Sequence, residues 1–128
     1  MKVAYLDSSC PVAISLGEPG SRELLVRISG FDRLFSSNLL EAELKSALAR
    51  ENTPGKVRDF LTWMRWVFPY RRLTREINQI LEVGLLKGPD LWHLACALFM
   101  RPRVEVTHFL SLDDRQSKIA KSLGFRVL

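Results

Sequence analysis

The sequence has few of the features that build disulfide-stapled, exported or membrane-embedded proteins. Its two cysteines, Cys10 and Cys96, are too few for a disulfide framework or a zinc site, and we expect both to be reduced. No apolar run approaches the ~20 residues that a bilayer-spanning helix needs. Asp7 comes too early for the apolar stretch of a signal peptide, so we expect a cytoplasmic protein.

The composition is that of an ordinary globular domain. The chain of 128 residues is 47% hydrophobic and 26% charged, which excludes disordered and collagen-like proteins. This length predicts one domain, residues 1–128, with a core that needs no disulfide or structural metal. The formal net charge of +5 and the pI of about 9.6 are compatible with binding RNA, although many unrelated small proteins are also basic.

Short apolar runs alternate with longer amphipathic stretches along the chain. The predicted strands are residues 3–6, 34–36, 67–68, 106–110 and 125–128, and the predicted helices are residues 11–16, 21–29, 38–50, 53–66, 74–87, 88–100 and 114–123. Strands that alternate with helices favour an α/β fold whose parallel sheet is covered on both faces. Such a sheet places functional groups beyond the carboxyl ends of its strands, where the strand order reverses.

Four acidic residues fall at element ends that this fold would bring to one edge. Asp7 directly follows the first strand, and Asp113 follows a later buried run. If those strands are neighbours, their ends lie ~5 Å apart. Asp90 is in the first turn of its helix, and Glu43 flanks the apolar stripe of another. Each alone is readily explained as a cap, a turn residue or a solvated side chain, but the set predicts a shared acidic cleft.

Carboxylates that share a cleft repel each other, and burial makes the repulsion worse. They must be protonated, paired with cations or bound to a metal ion. No matching set of Lys or His residues accompanies these four acids in the sequence. Oxygen ligands without thiolate or imidazole favour Mg²⁺ or Mn²⁺ over zinc. Such an ion binds phosphate and can activate a water for in-line attack on phosphorus.

Four stretches of the sequence carry a further pattern. They are Val-Ala-Tyr-Leu-Asp-Ser-Ser at 3–9, Ser-Asn-Leu-Leu-Glu-Ala-Glu-Leu at 37–44, Asp-Leu-Trp-His-Leu-Ala at 90–95, and Phe-Leu-Ser-Leu-Asp-Asp-Arg at 109–115, which Ala120 and the Leu-Gly-Phe of 123–125 follow. In this order and spacing they resemble the PIN-domain ribonucleases, of the kind found as the toxin of VapBC toxin–antitoxin pairs. The resemblance covers essentially the whole chain.

The departures from the family pattern are modest. Ser111 stands where Thr is commoner, Leu91 stands where Ala is commoner, and residues 69–87 match no motif closely. Two acidic neighbours leave the register open. We choose Glu43 over Glu41 because Ala precedes it, and Asp113 over Asp114 because it lies two residues after Ser111.

The resemblance implies a three-layer α/β/α PIN-like domain with a central five-stranded parallel sheet. It implies RNA cleavage that depends on Mg²⁺ or Mn²⁺, with Asp7, Glu43, Asp90 and Asp113 as catalytic residues that hold the metal directly or through water. Ser8 and Ser111 would steady a metal-bound water or a carboxylate. The resemblance also implies a homodimer, and a VapB-like antitoxin that wraps the toxin and occupies its acidic cleft.

Two further residues could act beside the acids. His93 lies one turn after Asp90 and could face the substrate, although a helix histidine is more often packed or solvated. Arg115 could touch phosphate or balance the carboxylates. Residues 60–68 are apolar nearly all round, which predicts either a core helix or a helix that contacts a dimer partner or an antitoxin.

Other phosphate-handling families fit less well. A haloacid dehalogenase-type phosphohydrolase needs an Asp two residues after the first, where Ser9 stands. A receiver domain needs a phospho-acceptor Asp after its third strand, and the sequence has none there. Nor does the sequence contain the glycine-rich phosphate loop of nucleotide-binding proteins. The remaining alternative is a non-catalytic RNA-binding or interaction module on a PIN-like fold. Four retained acids argue against it, because RNA binding favours the loss of that charge.

Overall fold

The computed structural model describes residues 1–52 and 58–128 as strands alternating with helices. In chain order the elements are β1 Val3–Leu6, α1 Ser9–Leu16, α2 Ser21–Ser29, β2 Arg33–Ser37, α3 Leu39–Arg50, α4 Arg58–Trp63, β3 Met64–Val67, α5 Thr74–Val83, α6 Gly88–Met100, β4 His108–Leu110 and α7 Asp114–Ser122. In the part of the chain described, no helix is both long and apolar enough to cross a bilayer.

The strands form one parallel sheet in the order β3-β2-β1-β4. Ala4 of β1 is paired with Leu34 on one side and with His108 on the other. The chain moves outward from β1 to β2 and β3, and then returns to β4 on the opposite side of β1. The strand order therefore reverses between β1 and β4, which is where a parallel sheet opens a crevice at its carboxyl edge.

The alternation of side chains along β1 explains the layers on the two faces of the sheet. Val3 and Tyr5 pack into a core with α5, α6 and α7. Ala4 and Leu6 pack into a second core with α1, α2, α3 and α4. A strand that is buried on both faces has no solvent-exposed face, and so its sequence is a continuous apolar run. The predicted three-layer α/β/α arrangement is confirmed.

The sheet has four strands in the described residues, instead of the five that were predicted. The segment predicted as the fifth strand, residues 125–128, forms a single parallel bridge between His108 and Arg126. Phe109 N donates to Arg126 O at 2.9 Å, and Arg126 N donates to Thr107 O at 2.9 Å. The left-handed turn at Gly124, with φ of 96°, brings this segment to the sheet edge, but the pairing is too short for a strand.

The helix predicted over residues 53–66 is wrong at its carboxyl end, and its start lies outside the described residues. Helix α4 ends at Trp63, and the next four residues form β3 at the edge of the sheet. Met64 and Val67 of β3 are each 6% exposed and enter the two different cores. An apolar run of this length does not distinguish helix from strand by its periodicity. Similarly, α5 ends at Val83, four residues before the predicted end.

Candidate active site

Asp7 ends β1 at the crevice and is held by hydroxyl and amide donors. Its carboxylate accepts a backbone hydrogen bond from Ser9 N at 3.0 Å and a hydroxyl hydrogen bond from Ser9 Oγ at 2.5 Å, both on Oδ1. Ser111 Oγ lies 2.7 Å from Oδ2. The residue is only 3% exposed. These contacts fix the orientation of the carboxylate at the end of the central strand.

Ser111 joins Asp7 to the elements on the other side of the crevice. Its Oγ accepts a hydrogen bond from Asp113 N at 3.0 Å and lies 3.0 Å from Gln116 Oε1. The Gln116 amide in turn donates to the carbonyl of Asp90 at 3.0 Å, and its backbone N donates to Asp113 Oδ1 at 2.8 Å. One network therefore connects the ends of β1 and β4 with the beginnings of α6 and α7.

Burial and neighbouring charges shift the pKa values of two of the acids, Asp7 and Asp90. Burial raises the pKa of Asp7, and the hydrogen bonds from Ser9 and Ser111 oppose that effect. The pKa of Asp90 is raised first by burial, and then by the negative charges of Asp113 and Glu43. The negative charges of both Asp113 and Glu43 therefore act on Asp90.

Glu43 reaches the crevice from α3 and is bound by a histidine of α6. His93 Nε2 lies 2.6 Å from Glu43 Oε1, and His93 Nδ1 lies 2.8 Å from the hydroxyl of Tyr5. His93 is 1% exposed, and both ring nitrogens are used within the protein. Glu41 instead points to solvent, where it pairs with Lys45 one turn along the same helix.

An open cleft of about 440 Å³ is lined by two of the acids, Asp90 and Asp113, and by residues of both charge signs. Its lining residues are Leu85, Leu86, Lys87, Asp90, Asp113 and Arg115. Two cations, Lys87 and Arg115, share this lining with the two carboxylates, and Arg115 and Asp113 are both exposed. This arrangement suits a polyanion that crosses the cleft, because cations at the rim can contact phosphates while the acids face one of them.

The structure brings the four predicted acids to one edge of the sheet, but some of their predicted partners differ. The hydroxyls that contact Asp7 belong to Ser9 and Ser111, whereas the sequence predicted Ser8 and Ser111 for this role. The sequence reasoning also missed Tyr5 and Gln116. An Asp that accepts from the backbone two residues on is a common turn, and this pattern could have indicated Ser9. The sequence around Gln116 does not indicate a role in the site, since only the fold brings this side chain to Ser111.

The carboxylate oxygens of the four acids are ligands of the kind that Mg²⁺ or Mn²⁺ prefers, but within the described residues they do not form a complete coordination shell. No three Asp, Glu, His or Cys side chains within residues 1–52 and 58–128 are close enough together to form a ready metal site. Mg²⁺ typically keeps several waters and uses one or two carboxylates together with substrate phosphates. The pKa of Asp90 is raised by burial and then by the charges of Asp113 and Glu43, so a cation bound there would relieve repulsion.

Comparison with known proteins gives a match in structure alone. No family model and no curated protein sequence matches the chain. The fold is similar to that of a chain in the crystal structure of VapBC2 from Rickettsia felis bound to a DNA fragment from its promoter, with a TM-score of 0.67. The match covers 98% of this chain and 97% of that one at 13% sequence identity. At this identity the likeness establishes the fold, which is PIN-like.

Proposed function

We propose that the chain is an endoribonuclease that hydrolyses RNA phosphodiester bonds with Mg²⁺ or Mn²⁺. The observation that carries the proposal is that Asp90 and Asp113 line one cleft at the edge of the sheet where Asp7 ends the central strand and the strand order reverses. The pKa of Asp90, raised by burial and then by the charges of Asp113 and Glu43, supports it. The basic rim of the cleft supports a polyanionic substrate.

Asp7, Glu43, Asp90 and Asp113 would hold the metal ion, directly or through water. When bound, the ion would supply a Lewis acid for the phosphate and promote the attack of water on phosphorus. The protein supplies orientation: Ser9 and Ser111 fix Asp7. Lys87 and Arg115 line the cleft beside Asp90 and would contact the phosphates on either side of the scissile bond. None of these roles requires a covalent bond between enzyme and RNA.

Cleavage of a labelled RNA panel by the purified protein tests this proposal. We expect cleavage with Mg²⁺ or Mn²⁺, none with EDTA, and none with Asp7→Asn or Asp113→Asn. Asp114→Asn and Glu41→Gln are matched controls, because each removes an adjacent acid that lies outside the cleft lining. Equal cleavage by the Asp7→Asn and control proteins would refute the proposed site.

The second candidate is a non-catalytic RNA-binding or interaction module on the same fold. The observation that favours it is the absence, in the described part of the chain, of three ligands already close enough for a metal. This module would bind RNA with equal affinity in Mn²⁺ and in EDTA, and would leave it intact. Binding measured by fluorescence anisotropy, beside the cleavage assay, separates the two functions.

We further propose that the protein is the toxin of a VapBC pair and acts in the cytoplasm. The solved VapBC2 structure supports this through the shared fold. An apolar groove of about 600 Å³, between α2, β2 and Trp63, is a surface that an antitoxin could cover, since Val26 and Trp63 in it are 71% and 51% exposed. Expression alone should slow growth, and co-expression with the adjacent short reading frame should relieve it.

A homodimer is part of the same proposal. Phe68 and Tyr70, which follow β3, are 66% and 74% exposed and offer an apolar contact surface. Light scattering of the purified protein should give twice the 14.7 kDa mass of one chain. A monomer at all concentrations would exclude the dimer without affecting the nuclease assignment.

A further inference from the structure

A buried chain of hydrogen bonds runs from the end of β2 through β1 to Glu43. Ser37 N donates to the hydroxyl oxygen of Tyr5 at 3.0 Å, and that hydroxyl lies 2.8 Å from His93 Nδ1. His93 Nε2 lies 2.6 Å from Glu43 Oε1. Tyr5 and His93 are 0% and 1% exposed, so neither can exchange these partners for bulk water.

The contacts at the two ring nitrogens indicate the hydrogen positions along this chain. The Tyr5 oxygen accepts from Ser37 N, and its one hydrogen is available for His93 Nδ1. With Nδ1 accepting from Tyr5, the neutral ring carries its hydrogen on Nε2 and donates it to the Glu43 carboxylate. In the opposite tautomer, the Nε2 lone pair would face a carboxylate oxygen at 2.6 Å, which is repulsive.

The bond restrains a side chain that would otherwise be mobile. Glu43 projects from α3, and its side chain is 26% exposed at the edge of the crevice. A free glutamate has several rotamers, and ordering them costs free energy when a ligand binds. The imidazole is fixed by packing and by Tyr5, so it presents a donor at one place and lowers that cost.

We propose that His93 is a positioning residue, which holds Glu43 ready for the metal ion through the tautomer that Tyr5 selects. This inference rests on the proposed function. His93 touches neither RNA nor metal in this role and acts through Glu43. Removing a hydrogen-bond partner of a metal-binding side chain typically weakens metal affinity about 10–100-fold.

Two substitutions of His93 separate positioning from packing. His93→Asn retains an amide near Nδ1 and can still contact Tyr5, but it is too short to reach Glu43. His93→Gln places its amide near Nε2 and can donate to Glu43. By calorimetry with Mn²⁺ on the full-length chain, we expect His93→Asn to weaken affinity about 10–100-fold, and His93→Gln to recover most of the loss. Equal affinities of His93→Asn and the unaltered protein would overturn the proposal.

A double-mutant cycle tests whether His93 acts through Glu43. In a Glu43→Ala background, His93→Asn should cause no further loss of Mn²⁺ affinity, because the group it positions is absent. An undiminished loss in that background would overturn the proposal and would indicate a general structural effect. Melting curves of all variants, recorded without metal, identify any protein that has not folded.

The nitrogen spectrum of His93 tests the tautomer without metal. We expect the ¹⁵N shifts of an imidazole that carries its hydrogen on Nε2. In Tyr5→Phe, the preference for this tautomer should be partly lost. This variant keeps the proposal testable if the His93 variants do not fold. A ring with its hydrogen on Nδ1 would overturn the proposal. If the unaltered protein does not bind Mn²⁺, the proposed function is rejected. If it binds Mn²⁺ and His93→Asn binds equally well, only the positioning role of His93 is rejected.

Discussion

Ser111 Oγ lies 2.7 Å from Asp7 Oδ2, although 104 residues separate the two along the chain. The contact joins the carboxyl end of β4 to that of β1, where the backbone of Asp7 also donates to Leu110 O at 3.2 Å. Ser111 thus links the carboxyl ends of the two strands and orients Asp7, the most buried acid of the site. Its hydroxyl also accepts from Asp113 N and lies 3.0 Å from Gln116 Oε1, which links the two strand ends to the beginning of α7.

Replacement of Ser111 by Ala should destabilise the protein by about 1–3 kcal/mol, because it leaves buried partners without a hydrogen bond. It should also raise the pKa of Asp7 further, since the hydrogen bond from Ser111 lowers that pKa. Urea denaturation measures the first effect. Ser122→Ala is the matched control: its hydroxyl makes one exposed bond to Lys118 O, and its loss should change stability by less than about 0.5 kcal/mol.

Asp7→Asn should make the metal-free protein more stable at neutral pH while abolishing cleavage. Burial raises the pKa of Asp7, so its folded form prefers the protonated state. Proton-linked stability is therefore fully present below the unfolded pKa of about 3.9, and is lost as the pH rises through the folded value. An Asn amide at Oδ2 would donate to Ser111, which is then free to donate to Gln116 Oε1.

Melting curves in EDTA between acidic and neutral pH check this expectation. The melting temperature of Asp7→Asn should exceed that of the unaltered protein at neutral pH, and the two should converge as the pH falls. Asp114→Asn, an exposed neighbour of the site, should show no such pH-dependent gap. A lower melting temperature for Asp7→Asn at every pH would contradict the argument.

Asp113→Asn should lower the pKa of Asp90. Burial is the largest cause of the raised pKa of Asp90, and the charge of Asp113 is the next. Removing that charge leaves only burial and Glu43 to raise it. Titration of the Asp90 carboxyl by ¹³C NMR measures the change, with Asp114→Asn as the control. An unchanged Asp90 pKa would mean that the two carboxylates do not share the crevice.

The sequence predicts the architecture where one physical signal dominates. The apolar run of β1 is continuous because both of its faces are buried, and Asp7 marks its end. Helix α6 begins where Gly88 and Pro89 predict, because proline is tolerated in a first turn. Together with the other apolar runs, these features predict the alternation of strands and helices, and hence the edge of the sheet at which Asp7 and Asp90 lie.

The sequence does not predict features that depend on tertiary contacts. The apolar stretch around Met64 could form a helix or an edge strand, and only its pairing with Leu34 decides for the strand. His93 lies one turn from Asp90, and the sequence left open a role beside the substrate or a packed side chain; the structure turns it inward to Tyr5 and Glu43. No local pattern contains that information, since the partners lie 88 and 50 residues away.

Arg71→Gln should lower the melting temperature at neutral pH. The stability that the Arg71–Glu76 pair contributes rises with pH, whereas the proton-linked stability of Asp7 falls with pH. Glu76 of α5 is 7% exposed, and Arg71 holds it through two contacts of 2.7 and 3.1 Å. The hydrogen bond from Arg71 lowers the pKa of Glu76. The pair therefore stabilises the fold above the unfolded pKa of about 4.3, and that stability is lost as the pH falls through the folded value.

The melting temperatures of Arg71→Gln and the unaltered protein should therefore converge at acidic pH, where a protonated Glu76 no longer needs a cation. Arg72→Gln is the matched control, because it removes the same charge from an adjacent exposed position whose side chain is not the partner of Glu76. A constant gap between Arg71→Gln and the unaltered protein across the pH range would show that Arg71 acts through its packing on Phe99 and not through the carboxylate.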